Sequence, residues 1–209
     1  MATIFSDDFE SGDLSAWTGS ADAAVTAAPA VGMSGSWCGF VGSSVGSGGY
    51  IYKTITALTE LWFSLKVRTD FNWTQGIAWS TKSGATTQIR CLVLDTGAIR
   101  IDLGTVNIVN SAAAVISTNT VHLMEVYIKI ADAGGRVVVK VDGVTVIDFT
   151  GDTNNSGGNI DDFRIGEGAG VYAKYYVDNV ILDNSTWPGS GGSPVPVFMN
   201  HIRNMIGGV

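Results

Sequence analysis

The sequence predicts an all-β chain folded as a two-sheet antiparallel β-sandwich, and three observations predict it. Valine, isoleucine, threonine and aromatic residues gather in short runs with a period of two, the spacing of a strand buried on one face. Turn-forming pairs and triplets, above all Asp142-Gly143 and Asp95-Thr96-Gly97, separate those runs. Hydrophobic residues make up 45% of 209 residues and charged residues 15%, enough apolar side chain for one packed core, with no convincing helical periodicity inside it.

In order, residues 2–18 open on a short apolar strand and continue as a loop dense in Ser, Asp and Gly that Trp17 packs onto the body. Between Ser20 and Gly49 the chain is small and polar, and only Trp37–Val41 reads as a strand. Residues 50–56 alternate, with Tyr50, Tyr52, Thr54 and Thr56 on one side and Ile51, Lys53 and Ile55 on the other. Glu60–Thr69 repeats the period with Leu61, Phe63, Leu65 and Val67 inward. Strands follow at 76–80, 87–94 and 98–103, the last two joined by a three-residue loop with Gly97 where a bulge requires glycine. Residues 106–116 form a weaker strand and 120–130 a strong one, placing His122, Met124, Val126, Ile128 and Ile130 on one face.

Residues 132–135 turn into a hairpin at 136–149. Its two-residue loop, Asp142-Gly143, supplies the positive φ angles of a type I′ turn. Folding about it sets Val141 opposite Val144, Val139 opposite Val146, Val138 opposite Ile147 and Arg136 opposite Phe149. A hairpin apolar on most of both faces belongs in the interior of a sheet. The polar stretch GDTNNSGGN then reads as a loop, and strands at Ile160–Gly166 and 174–182 close the domain, which spans 1–187.

Beyond Trp187 the character changes. Residues 188–197 form a Gly/Ser/Pro linker. In 198–209, Phe198, Ile202, Met205 and Ile206 fall at i, i+4, i+7 and i+8, one apolar stripe on a short helix. Such a helix is marginal alone in water and is expected to dock on a protein partner.

Twelve basic against nineteen acidic residues give a net charge of −7. No basic cluster suited to a phosphate backbone is present, so no nucleic-acid partner is expected. The acidic N-terminus lacks the features of a secretory signal peptide. No apolar run reaches the ~18 residues that span a bilayer, so no membrane partner is expected. Cys38 and Cys91 read as two unpaired, partly buried thiols.

Two stretches, taken with the hairpin, carry a family signature. FSDDFESGDLSAW, from Phe5 to Trp17, resembles the opening strand and loop of bacterial and phage concanavalin A-like (laminin G-like) jelly-roll domains. YYVDNVIL, from Tyr175 to Leu182, resembles their closing strand, and the Val-Asp-Gly hairpin resembles the antiparallel pair before it. The resemblance covers 3–187 and implies a jelly roll. Its members include lectins, glycanases, adhesins and virion parts. With the C-terminal linker and tail, it implies a non-enzymatic virion protein of a tailed phage, decorating the capsid or forming a fibre. Such a protein would be a homo-oligomer held to capsid or tail proteins and assembled in the host cytoplasm. The alternative is a carbohydrate-binding module or adhesin.

Candidate sites follow. Retaining glycanases set two carboxylates ~5 Å apart, but the four glutamates, Glu10, Glu60, Glu125 and Glu167, are widely separated. Neither His122 nor His201 lies in a triad pattern, so no catalytic residue is expected. Asp7, Asp8, Glu10 and Asp13 crowd the opening loop. With Asp178 from the closing strand, Asp8 and Glu10 are candidate ligands of a structural Ca²⁺, against the alternative that the loop acids only build turns. Asn72, Trp73 and Gln75, extended by Trp79 and Tyr172, offer aromatic and amide groups for a sugar ring. The competing reading is that these aromatics are core.

Overall fold

The computed structural model describes residues 2–42, 49–70, 75–166 and 174–188, the side chain of Gln75 excepted. Its strands, in chain order, are β1 (Thr3–Asp7), β2 (Gly19–Ala21), β3 (Ala23–Ala27), β4 (Trp37–Val41), β5 (Tyr50–Leu58), β6 (Glu60–Thr69), β7 (Gln75–Ser83) and β8 (Thr86–Leu94). They continue as β9 (Ile99–Leu103), β10 (Val106–Asn110), β11 (His122–Lys129), β12 (Gly135–Val141), β13 (Val144–Gly151), β14 (Ile160–Gly166) and β15 (Tyr175–Asp183). A single 3₁₀ turn, Ala28–Val31, is the only helical element among the described residues.

An eight-stranded sheet runs β13-β12-β11-β6-β15-β4-β3, and a seven-stranded sheet runs β10-β9-β8-β7-β14-β5-β2. All strand pairs are antiparallel. β1 is the eighth strand of the first sheet. It pairs with β15 through Val180 to Asp183, while β4 takes Tyr175 to Val177. Asn179, with φ of 49°, marks the irregularity between the two pairings.

The sheets pack face to face because the period-two pattern leaves each strand one apolar side. Leu61, Phe63, Leu65 and Val67 of β6 are all essentially inaccessible to solvent. Phe63 lies edge-on to Trp79 and Phe163 of the opposite sheet, with centroids 5.0 and 4.9 Å apart. The opening loop closes one end of this core. Trp17 packs against Phe5 and Phe9, and its indole N–H donates to Asp7 Oδ2 at 2.7 Å. Cys91 is buried in the main core, and Cys38 lies in a smaller cluster with Ala28 and Met33. Both are free thiols, and burial pushes Cys38 up to about 11.

The fold departs from the sequence reading in four places. The hairpin is not interior, since β13 is the sheet's edge strand and Val144 is exposed. Its register also differs. Val141 does face Val144, but Val139 faces Ile147, Val138 faces Asp148 and Arg136 faces Thr150. A bulge at Val146 shifts the pairing by one residue. It delivers the bulkier Ile147 and Phe149 to the core side opposite Val139 and Val137, a frequent device at sheet edges. The strand expected at 106–116 stops at Asn110. There the chain turns back onto the Gly97 loop, with Ala114 N–H donating to Thr96 O and Ile116 N–H to Gly97 O. Finally, β2 and β3 were not legible, because their Ala- and Ser-rich sequence has no apolar period and pairs through backbone groups.

Asp142 is more than a turn residue. Its carboxylate accepts from Leu123 N–H at 2.8 Å and lies 2.7 Å from His122 Nδ1, while Ser117 N–H donates to Nε2. His122 is therefore a latch between β11, the hairpin and the loop before it. Burial alone would raise the Asp142 carboxyl, but the bonds from His122 and Leu123 hold it below its ordinary value. A carboxyl lowered by folding stabilises above its unfolded pKa of about 3.9 and loses that contribution as pH falls through the folded value. Asp142→Asn is thus expected to lower the melting temperature at neutral pH, with the difference from the native chain vanishing in strong acid. A gap that persists unchanged across an acid titration would contradict this.

Candidate functional site

The outer face of the seven-stranded sheet carries a row of charged and aromatic side chains. Ile51, Trp79, Ile89, Cys91, Ile101, Phe163 and Ile165 point into the core, so their neighbours along each strand point out. Antiparallel register sets these neighbours in a row: Tyr52 of β5 beside Arg164 of β14, Arg164 beside Ser80 of β7, Ser80 beside Arg90 of β8, and Arg90 beside Asp102 of β9. Tyr50 and Arg100 flank the row, and Lys82 faces Asp162 in the next one.

The arginines and aspartates of this face are held in place. Asp102 is completely buried and serves two guanidiniums. Arg90 donates to Oδ2 from Nε and Nη2 at 3.0 and 2.9 Å, and Arg100 donates from Nε to Oδ1 at 2.6 Å and from Nη2 to Oδ2 at 3.1 Å. Arg164 pairs with Asp162 at 2.7 and 3.3 Å and lies 5.1 and 5.0 Å from the ring centroids of Tyr50 and Tyr52. Gly19 of β2 makes room for Tyr52, since a Cβ there would stand 2.7 Å from the ring. The 152–159 loop bounds the far end, where Gln88 exchanges hydrogen bonds with Asn155. Ser80 Oγ is buried with no hydrogen-bond partner. Such a face can pair guanidinium edges with anions while two aromatic rings meet an apolar surface.

The residues singled out from sequence fare differently. Trp79 is not a sugar platform. It is fully buried between the sheets, where its indole N–H points at Met124 Sδ. It follows Ala78 at a register shift in β7, which turns it inward. Asn72 and Trp73, with Tyr172, lie outside the described residues, as do Phe198, Ile202, Met205 and Ile206. Gln75 begins β7. Glu10 binds the 34–37 segment, accepting from Ser36 N–H at 2.8 Å and Trp37 N–H at 3.1 Å. Asp8 accepts from Glu10 N–H and, with Asn179, lines a cleft of about 280 Å³. Asp7 and Asp13 build turns. Asp178 is nearly inaccessible. Burial raises its carboxyl, and the charges of Glu10 and Asp8 add to that against Asn179 N–H and Lys66. Among the described residues no three carboxylate, imidazole or thiol groups converge as a metal site.

Sequence reasoning missed the row itself. Its signal was present: Tyr50-x-Tyr52, Arg100-x-Asp102 and Asp162-x-Arg164 each place two polar residues on one face of a strand.

No family model matches the chain, and no curated protein does. Among solved structures, an endo-β-1,4-glucuronan lyase from the fungus Trichoderma reesei aligns with TM-score 0.65 at 14% identity, covering 88% of this chain and 96% of that one. The cellulose-induced protein Cip1 aligns with TM-score 0.65 at 14% identity over 87% and 97%. Alginate lyase Aly36B aligns with TM-score 0.53 at 18% identity over 72% and 81%. These establish the concanavalin-like jelly-roll sandwich, and none of the three is described as part of a virion. They also overturn the expectation of a non-catalytic chain. That expectation rested on the lack of the carboxylate pair of hydrolysis and of a triad pattern at His122 or His201, whereas a lyase breaks its bond by elimination and has no need of either.

Proposed function

We propose that the protein binds an acidic polysaccharide across the outer face of the seven-stranded sheet. The observation that carries this reading is the make-up of that face. On a chain of net charge −7, Arg90, Arg100, Arg164 and Lys82 outnumber Asp102 and Asp162 beside a tyrosine pair. Guanidinium groups pair with carboxylates, and aromatic rings pack on the apolar faces of sugars. Affinity electrophoresis against matched neutral and acidic polysaccharides is expected to retard the protein only in the acidic gels, with retardation fading as salt rises. Equal retardation by neutral polymers would remove the reading.

A second reading, eliminative cleavage, draws on the same face and on the lyases that share the fold. Removing the proton beside a uronate carboxylate requires that the carboxylate be neutralised, a role open to Arg164, the guanidinium that lies against the tyrosine pair. It also requires a group that moves the proton, for which the Tyr50 and Tyr52 hydroxyls are at hand. As the proton leaves, the glycosidic carbon–oxygen bond breaks and the departing oxygen takes up a proton, so the product carries a new carbon–carbon double bond and ultraviolet absorbance is expected to grow in a polyuronate solution. Tyr52→Phe is expected to abolish that growth and leave retardation in place.

A further inference from the structure

We infer that the ligand of this face is a polysaccharide in which uronates are separated by neutral sugars, Arg90 and Arg100 together forming the row's one carboxylate receptor. The inference rests on the acidic-polysaccharide reading above and follows from how charge is distributed along the row.

At one end, one buried carboxylate, Asp102, serves two arginines, so the cluster keeps one positive charge in surplus. The bonds to Asp102 occupy Nε and Nη2 of each guanidinium, and no partner of either Nη1 occurs among the described residues. One ligand carboxylate completes the neutralisation. At the other end the balance is already struck, because Asp162 takes Arg164 through two contacts. A second carboxylate arriving there would meet Asp162 without compensation, a repulsive pairing in a partly desolvated place. The Tyr50 and Tyr52 rings offer a neutral sugar apolar contact instead. Lys82 adds no surplus there, since Asp161, whose carboxylate accepts from Gly84 N–H in the turn just beyond Lys82, brings that end to two cations and two carboxylates.

Arg164 and Arg90 stand on β14 and β8 with β7 between them. Two strand spacings are about 9.5 Å, so the two ends touch different sugars of one chain. Between them Ser80 holds its unpartnered hydroxyl.

The test is calorimetric titration of the full chain with fragments of three polymers. They are hyaluronan, in which glucuronate alternates with neutral N-acetylglucosamine, polyglucuronate of matched length, and carboxyl-reduced hyaluronan. Hyaluronan is expected to bind roughly tenfold more tightly than polyglucuronate, and carboxyl reduction or Arg100→Gln is expected to remove most of that affinity. Asp162→Asn frees the charge of Arg164 and is expected to raise affinity for polyglucuronate specifically. A merely structural Asp162 would weaken both polymers alike. Polyglucuronate bound by the native chain as tightly as hyaluronan overturns the inference and leaves the acidic-polysaccharide reading standing, whereas no binding of either acidic polymer overturns both.

Discussion

Trp79→Ala is expected to lower stability by about 3–5 kcal/mol while leaving polysaccharide affinity per folded molecule unchanged. Trp79 is completely buried and sits at the junction of the two sheets, edge-on to Phe63 of β6, with its N–H directed at Met124 Sδ of β11, 3.2 Å away. Truncation opens a cavity that both sheets line. Close-packed interiors fill such cavities only in part, so the lost contacts and the residual void both count against the folded state. A platform role would give the opposite pattern, with unchanged stability and lost binding. Chemical denaturation paired with affinity electrophoresis separates the two. Trp79→Phe, which keeps much of the ring volume, is expected to recover a good part of the loss.

Asp102→Ala is expected to cost a comparable amount, about 3–5 kcal/mol, through a different mechanism. The carboxylate is fully buried, and its removal strands two guanidiniums whose side chains are only 19% and 27% exposed. Breaking such a cluster leaves uncompensated charge in a poorly solvated place, which outweighs the four lost hydrogen bonds taken singly. For a chain of this size a melting temperature lower by on the order of 10 °C follows. Arg136 and Asp148 supply the control. That pair is equally short at 2.8 Å, but its partners are 47% and 48% exposed, so Asp148→Ala is expected to cost at most about 1 kcal/mol. Equal losses from the two variants would show that burial does not decide the strength of these pairs. Asp102→Ala should also widen the surplus of positive charge at that end, so variant that still folds should bind polyuronates with a steeper salt dependence.

The candidate site was harder to read than the sandwich. Alternation along Glu60–Thr69 and 120–130 is enough to place Leu61, Phe63, Leu65, Met124 and Val126 in a core, because period two is a property of one strand. The row from Tyr52 to Asp102 is assembled from five strands, and its neighbours are set by strand order. Nothing in Ser80, Arg90 or Arg164 individually says that β7 lies between β14 and β8. The same limit explains Trp79. A tryptophan four residues beyond an aromatic-amide stretch reads equally well as platform or core, and an irregularity in β7 decided for core. The hairpin at 136–149 shows the limit within one motif. Its turn was legible in Asp142-Gly143, but the bulge at Val146 depends on what the opposite sheet needs filled.

The class of fold, most of the strands, the inward-facing residues of the central ones and the unpaired state of the two cysteines were legible in the chain, because each follows from local periodicity, turn chemistry and composition. Which strands are neighbours, that the hairpin is an edge, that His122 and Asp142 form a latch, and that arginines far apart in the chain share one face with a tyrosine pair came from the assembled sheets. The physical reason is that side-chain alternation is fixed within a strand, whereas strand order and register are fixed by the packing of two whole sheets against each other.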